Sequence, residues 1–196
     1  MFLATPEPSD ATKRFLQKSA HPDGFVMNLT KTWAWRPDVY DGFGILRNQL
    51  TSNSTLTKRD QAVIVCATAA GLGDSYCCFA WGSTLSKEAG PEVAAAVIEG
   101  GKNDVLSPRD SALAGWARKV VSNPNGTSPA DVQALRDVGL GELEIFEVTA
   151  FIAFRLAFST VNDALGIKPD WQLPEALLPK VRESVRFGRP AEHKPA

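Results

Sequence analysis

The sequence predicts an all-α fold, and three observations carry that prediction. A helix start signal occurs three times, at Thr57-Lys58-Arg59-Asp60, Ser107-Pro108-Arg109-Asp110 and Ser128-Pro129-Ala130-Asp131. In each, a hydroxyl residue stands three positions before a carboxylate. Its oxygen accepts from a free amide of the first turn, and the acid reaches back to the cap's own N–H. In two of the three, Pro takes the first helical position, where its missing N–H costs nothing. Apolar residues of helical period follow each signal, and no segment alternates as a half-buried strand would. The connections are short, as in a helical fold built on one core.

Taken in order, residues 1–35 are mixed in character. Phe25-Val26-Met27-Asn28-Leu29 and Trp33-Ala34-Trp35 read there as an apolar arm packing on the body. A helix is predicted from 37 to about 50. A second, rich in Ala and Val, runs from 57 to about 72 and ends at Gly71-Leu72-Gly73. The next spans 74 to about 87 and is stopped by Gly90-Pro91, and a short one follows from 91 to about 99, ending in Gly100-Gly101. Residues 107–121 form another, closed by the turn-rich Asn123-Pro124-Asn125-Gly126, and 128–137 a shorter one. The last is long, 142–165, with Gly166 at its C-terminal cap. The organisation expected is an arm (1–35), a helical domain (36–167) and a Pro-rich wrapping extension (168–196) that frays after Phe187.

Composition narrows function. The chain has 196 residues, 44% hydrophobic, with 21 Lys+Arg against 22 Asp+Glu and a net charge of −1. A balance so near neutral argues against nucleic-acid or membrane-surface binding, which need a concentrated basic field. The three Cys do not make a disulfide framework, and with only two His a histidine base or His-rich metal site is not expected. The first residues have no basic n-region or apolar h-region, and no run of 18 apolar residues occurs, so the expected compartment is the cytoplasm. No cofactor or metal is expected.

One constellation could carry chemistry. At about 100° per residue, Asp74, Cys77, Cys78 and Trp81 share an arc of one helix, joined by Leu85. Asp74 stands at the helix start, where free amides and the macrodipole stabilise a carboxylate or a thiolate. Read plainly, Asp74 is an N-cap, the cysteines are small core residues and Trp81 fills volume. Read as a site, the group offers an acid, thiols and an aromatic wall. Cys77 and Cys78 are adjacent and point in different directions, which makes a poor redox pair.

The order of elements resembles the carboxymuconolactone decarboxylase family, and within it the alkylhydroperoxidase (AhpD-like) and peroxidase-related branches. The anchors are Arg36-Pro37-Asp38, Leu56-Thr57-Lys58-Arg59-Asp60, Gly73-Asp74-Ser75-Tyr76-Cys77, Leu106-Ser107-Pro108-Arg109-Asp110, Ser128 to Leu135, and Val161-Asn162-Asp163-Ala164-Leu165-Gly166. The resemblance implies an all-helical, homo-oligomeric protein. The family's peroxidase members use a C-x-x-C pair at the start of a buried helix, a His four residues after the second Cys, and a Glu on the preceding helix. Here the second Cys falls on Cys77, the first on Asp74, the His on Trp81 and the Glu on Ala62. An Asn-Arg pair common near the end of the long helix falls on Ser159-Thr160. The resemblance supports the fold and leaves the dithiol peroxide cycle without a resolving thiol or a proton relay.

Two further features bear on what replaces that cycle. Ala62, Cys66, Ala69 and Gly73 form a small-residue stripe, which means either close helix packing or room for a ligand facing Asp74 and Cys77. Asp60 reads as a capping residue. Arg155 sits on a very apolar helix and needs a partner, whether a carboxylate such as Glu147 or one on another helix or subunit, or an anionic substrate. Three functions stay open. The leading one is a cofactor-free decarboxylase, lyase or isomerase, with Asp74 moving a proton, Cys77 beside it, and Trp81, Cys78, Arg155, Ala62 and Cys66 around a small substrate. The others are a thiol-dependent hydroperoxide reductase using Cys77, and a non-catalytic oligomeric binding protein.

Overall fold

A computed structural model describes residues 1–196 apart from 22, 53, 102, 103 and 196. Helices hold 68% of the described residues, and no strand forms among them. In chain order they are α1 (Asp10–Lys18), α2 (Asn28–Trp33), α3 (Pro37–Ser52), α4 (Lys58–Leu72), α5 (Ser75–Ala89), α6 (Pro91–Glu99), α7 (Pro108–Ser122), α8 (Pro129–Asp137), α9 (Glu142–Ala164), α10 (Gln172–Glu175) and α11 (Pro179–Ser184). A single 3₁₀ turn, Pro124–Gly126, follows α7.

Helix α4 lies at the centre, packed against α5, α7 and α9. All its residues from Asp60 to Ala69 are buried, which explains why the segment is apolar nearly all round rather than amphipathic. Each buried Val or Ile there contributes about 1.5–3 kcal/mol over its exposed state. Ala62, Cys66 and Ala69 lie within this core, where small side chains let neighbouring helices approach. A second apolar cluster joins Phe15 of α1, Leu29 and Trp33 of α2, Tyr76 and Ile167.

The first two start signals do more than cap. In α4, Thr57 Oγ1 accepts from Asp60 N at 3.1 Å, and Asp60 Oδ2 accepts from Thr57 N at 3.0 Å. Ser107 and Asp110 repeat the box at α7. Each box then clamps the other. Arg109 Nε and Nη2 donate to the two Asp60 oxygens at 2.9 and 3.1 Å. Arg59 Nε and Nη2 donate to those of Asp110 at 3.1 and 2.6 Å. Such forked, charge-assisted pairing fixes the starts of the two helices against each other. The arginines hold both carboxyls below the usual carboxylate range against the opposing effect of burial.

The extension departs from expectation. Val181 and Leu177 bury their side chains in the main core, and the chain beyond Phe187 is pinned rather than frayed. Ser75 Oγ donates to Arg189 O at 2.7 Å, Arg189 Nη2 donates to Asp163 O at 3.2 Å, and Glu192 N donates to Pro169 O at 2.9 Å. Residues 188–192 thus form a strap over the start of α5 and the end of α9. Gly188 (φ +73°) passes so close that a Cβ would lie 2.4 Å from Gly73 O and 2.8 Å from Ser75 N. Only glycine fits both the backbone and the gap.

Candidate active site

The turn between α4 and α5 places the site. Gly73 adopts φ +82°, and Asp74 N and Gly73 N donate back to Ala69 O and Ala70 O, closing α4 in a Schellman motif. Asp74 then caps α5, its Oδ1 accepting from Cys77 N at 2.9 Å. One tight turn therefore ends the core helix, begins the next, and fixes Cys77 in the first turn of α5.

Cys77 borders a cavity of about 220 Å³. Its walls come from four helices: Leu29 of α2, Tyr40, Phe43 and Arg47 of α3, Cys77 and Trp81 of α5, and Phe154, Arg155 and Phe158 of α9, with Met27 just before α2. Two donors converge on the sulfur. Arg155 Nη2 lies 3.2 Å from Cys77 Sγ, and Ser159 Oγ lies 3.5 Å from it. The Arg155 guanidinium also lies 5.7 Å from the centre of the Trp81 ring and 5.5 Å from that of Phe158, between aromatic faces that favour a cation. It is 6% exposed, and its Nε has no hydrogen-bond partner among the described residues.

Arg155 has no carboxylate partner among the described residues. Glu147 instead accepts from Ser54 Oγ at 2.8 Å. The buried guanidinium faces a thiol.

Burial pushes the Cys77 thiol up, and the negative charge of Asp74 pushes it further. Arg155 and a hydrogen bond from Ser159 oppose both. The resting sulfur is therefore protonated. Cys66 and Cys78 lie in the core and not on the cavity wall. Burial pushes Cys66 up to about 12 and Cys78 well above its ordinary value, and Cys78 Sγ points at Cys66 O, 3.7 Å away. Ala62 is likewise fully buried in the core and away from the cavity wall. Of the residues singled out from sequence, the cavity wall brings together Cys77, Trp81 and Arg155; Asp74 lies behind Cys77 with no exposed surface. Ala62, Cys66 and Cys78, expected around a substrate, instead fill space between helices.

Several residues at the site carry little functional signal in the sequence. Tyr40 and Phe43 stand three apart on α3 and reach the cavity, where aromatic spacing alone suggests only core. In sequence, Ser159 stands out only as the place of a missing family pair. Among the described residues, no group of three or more His, Cys, Asp or Glu is placed to hold a metal ion. No described helix is long and apolar enough to cross a membrane.

No family model matches the chain, and no curated protein does. Solved structures do. The chain is 30% identical to an uncharacterized peroxidase-related protein from Ralstonia eutropha JMP134, an alkylhydroperoxidase AhpD core, with a TM-score of 0.74 over 88% of this chain and 93% of that one. The chain belongs to the AhpD-like (carboxymuconolactone decarboxylase) family. A peroxidase-related protein from Silicibacter sp. TM1040 shares this AhpD-like fold at 19% identity and a TM-score of 0.74, again over 88% and 93% of the two chains. The debrominase Bmp8 shares it at 16% identity and a TM-score of 0.66, over 90% of this chain and 91% of its own. A Cys-to-Ala variant of Bmp8, seen in complex with 2,3,4-tribromopyrrole, matches at 15% identity and a TM-score of 0.65, over 90% and 88%.

Proposed function

We propose that this AhpD-like protein is a single-cysteine, thiol-dependent reductase of small planar aromatic substrates, with Cys77 Sγ as the attacking atom. The observation that carries this reading is the convergence of Arg155 and Ser159 on a sulfur that borders an aromatic-walled cavity. A thiolate is the nucleophile in such chemistry, so the protonated resting sulfur must first lose its proton. Asp74, whose carboxylate adjoins the thiol, is the acceptor, and Arg155 and Ser159 receive the charge that appears on sulfur.

Tyr40, Phe43, Trp81 and Phe158 suit a flat ring, and Arg155 and Arg47 suit one that carries negative charge. A halogenated pyrrole or phenol has both properties, and the shared fold with a debrominase points the same way. The thiolate would take the halogen from carbon, forming a sulfur–halogen bond, while the ring carbon takes a proton. An external thiol then displaces halide to give a mixed disulfide, and a second releases Cys77. The net change is aryl halide plus two thiols to arene, disulfide and hydrogen halide. No second cysteine lines the cavity, so the reducing thiols come from outside the chain.

Direct acid–base work by Asp74 on a substrate, as in a decarboxylase, has less support, because its carboxylate is fully buried and does not line the cavity. A second reading, reduction of a hydroperoxide to an alcohol through a Cys77 sulfenic acid, is favoured by the peroxidase-related description of the 30% identical relative. One experiment separates these readings. Halide release from bromopyrroles and bromophenols, and loss of cumene hydroperoxide, are followed with dithiothreitol as reductant. Turnover is expected to fall by at least about a hundredfold in Cys77→Ala and to persist in Cys78→Ala. Unchanged turnover in Cys77→Ala ends both thiol readings.

A further inference from the structure

We propose that a second cavity, adjoining that of Cys77, binds the reducing thiol, and that this thiol is a small cysteinyl peptide or a like compound carrying carboxylate and amide groups. The inference deepens the thiol reading and rests on it.

The second cavity has a volume of about 250 Å³ and lies between α3, α4, α5 and α9. Arg47 and Trp81 belong to the walls of both cavities. Each cavity also brings a cation of its own to the Trp81 ring. Lys58 Nζ lies 5.3 Å from the ring centre, and the Arg155 guanidinium 5.7 Å. The two spaces differ in chemistry. The Cys77 cavity is walled mainly by aromatic rings, whereas the second sets Asn48 and Gln61 beside its cations, over Phe151.

Three observations define the occupant. Arg47 and Lys58 line the cavity and no carboxylate does. Neither makes an ion pair among the described residues, while the next residue, Arg59, is forked onto Asp110. Two such cations favour an anion. An exposed lysine alone would mean little, and Gln61 makes the difference. It is 8% exposed, and its Nε2 donates to Leu56 O at 3.1 Å, which fixes the amide. Its Oε1 accepts from no described residue. A nearly buried acceptor on a cavity wall calls for an N–H donor. A carboxylate for the cations and an N–H for Gln61 occur together on a cysteine residue or short peptide. The third observation is that no second cysteine lines the Cys77 cavity, so the reductant must approach from outside it. A space this small takes a low-molecular-weight thiol.

Held there, the thiol reaches past Trp81 toward Cys77. Its sulfur attacks the sulfur–halogen bond on Cys77 and forms a mixed disulfide, and halide leaves with the thiol's proton. In the hydroperoxide reading the same attack on a sulfenic acid releases water. A second thiol then attacks the mixed disulfide. The Cys77 thiol regains a proton from it, and the free disulfide departs.

The test has two arms. S-methylglutathione has the carboxylates and amides of glutathione but no thiol, and is titrated into the protein by ligand-observed NMR. Saturable binding in the millimolar range is expected, weakened by added salt. Lys58→Gln should lower the affinity about two- to fivefold, as for an exposed charge pair, and Lys58→Glu about tenfold. Lys58 is exposed, so both variants should fold. The uncharged 2-(methylthio)ethanol should not bind detectably. In turnover, the ratio of rates with glutathione and with 2-mercaptoethanol should fall about tenfold in Lys58→Glu, through KM for glutathione rather than kcat. Absence of saturable binding, or an affinity or a rate ratio that Lys58→Glu leaves unchanged, overturns the site. The binding arm needs no reactive sulfur and should give the same result in Cys77→Ala. A site that fails there is distinct from a thiol enzyme that fails its own assay.

Discussion

At the N-terminal end of α4, the buried acids Asp60 and Asp110 each grip an arginine with both oxygens. Just past its C-terminal end, Asp74 keeps one oxygen without a partner, and Asp163 beyond it has no ion pair among the described residues. Asp60, Asp110 and Asp74 are almost equally buried, at 2%, 1% and 0% exposure. Burial therefore does not separate structure from chemistry in this molecule; partnering does. Where both oxygens are paired, the carboxyl titrates low and the helices are locked. Where one is left open, the buried oxygen is costly and suits a group that takes part in chemistry.

The comparison can be broken first at the clamp. Arg109→Ala leaves the Asp60 charge buried beside its cap, and should cost about 3 kcal/mol, the low end for an orphaned buried charge because Arg109 is partly exposed. Urea denaturation measures it, and a loss under about 1 kcal/mol would mean the forked pairs are not structural. At the open end, Arg155→Met removes the cation facing Cys77. Alkylation of Cys77 should slow by about ten- to a hundredfold at fixed pH, the range for losing a hydrogen bond to a charged group.

Asp74 sharpens the contrast, because one residue has two jobs. Asp74→Ala loses the cap and should destabilise by about 1 kcal/mol. Asp74→Asn keeps an oxygen for Cys77 N but removes the charge that pushes the thiol up. With the proton acceptor lost as well, alkylation at pH 8 should slow and turnover should fall. If both variants move the alkylation profile alike, the loss of charge they share, rather than the cap, sets the sulfur.

The smallest effect is in pH dependence, and its sign differs between the two ends. Asp60 and Asp110 titrate lower in the folded chain than when unfolded. Their stabilisation is present above about pH 4 and lost as pH falls below it. Asp163 does the reverse. Between about pH 4, where the unfolded carboxyl releases its proton, and about 7, where the folded one does, only the folded state holds it. Stability therefore declines as pH rises across that window. Asp163→Asn should flatten the decline, a gain of about 1 kcal/mol at pH 8 once solvent screening of a half-buried group is allowed for. Thermal melts of both proteins from pH 4 to 8 would show it.

Much of the fold was legible because helix starts are local chemistry. Thr57 and Asp60, or Ser107 and Asp110, are three residues apart, and their pairing needs no tertiary knowledge. The forked pairs between the two boxes were not legible, since Arg59 meets Asp110 across 51 residues of sequence. Arg155 stood out as a charge on an apolar helix, but a thiol partner 78 residues away could not be read from it. The site residues taken from the α5 arc divided on a finer point. Cys77 and Trp81 reach the cavity and Cys78 faces the core, a distinction that depends on where α3 and α9 lie. Asp163 does carry a signal, because an acid in the last turn of a long helix works against the dipole. The ordered strap was hidden by the prolines of the extension, which suit a chain fixed by isolated contacts as well as one that frays.

The bond from Ser75 to Arg189 O joins points 114 residues apart. Closing so long a loop carries a large entropic cost, so it is expected to form late, after the core around α4 is in place. Until then the turn at Asp74 stays in water, and a lone carboxylate there costs nothing. The order of assembly thus spares a folding intermediate from carrying a dry, unpaired charge. The surroundings of Asp74 and Cys77 are complete only when this last segment locks down.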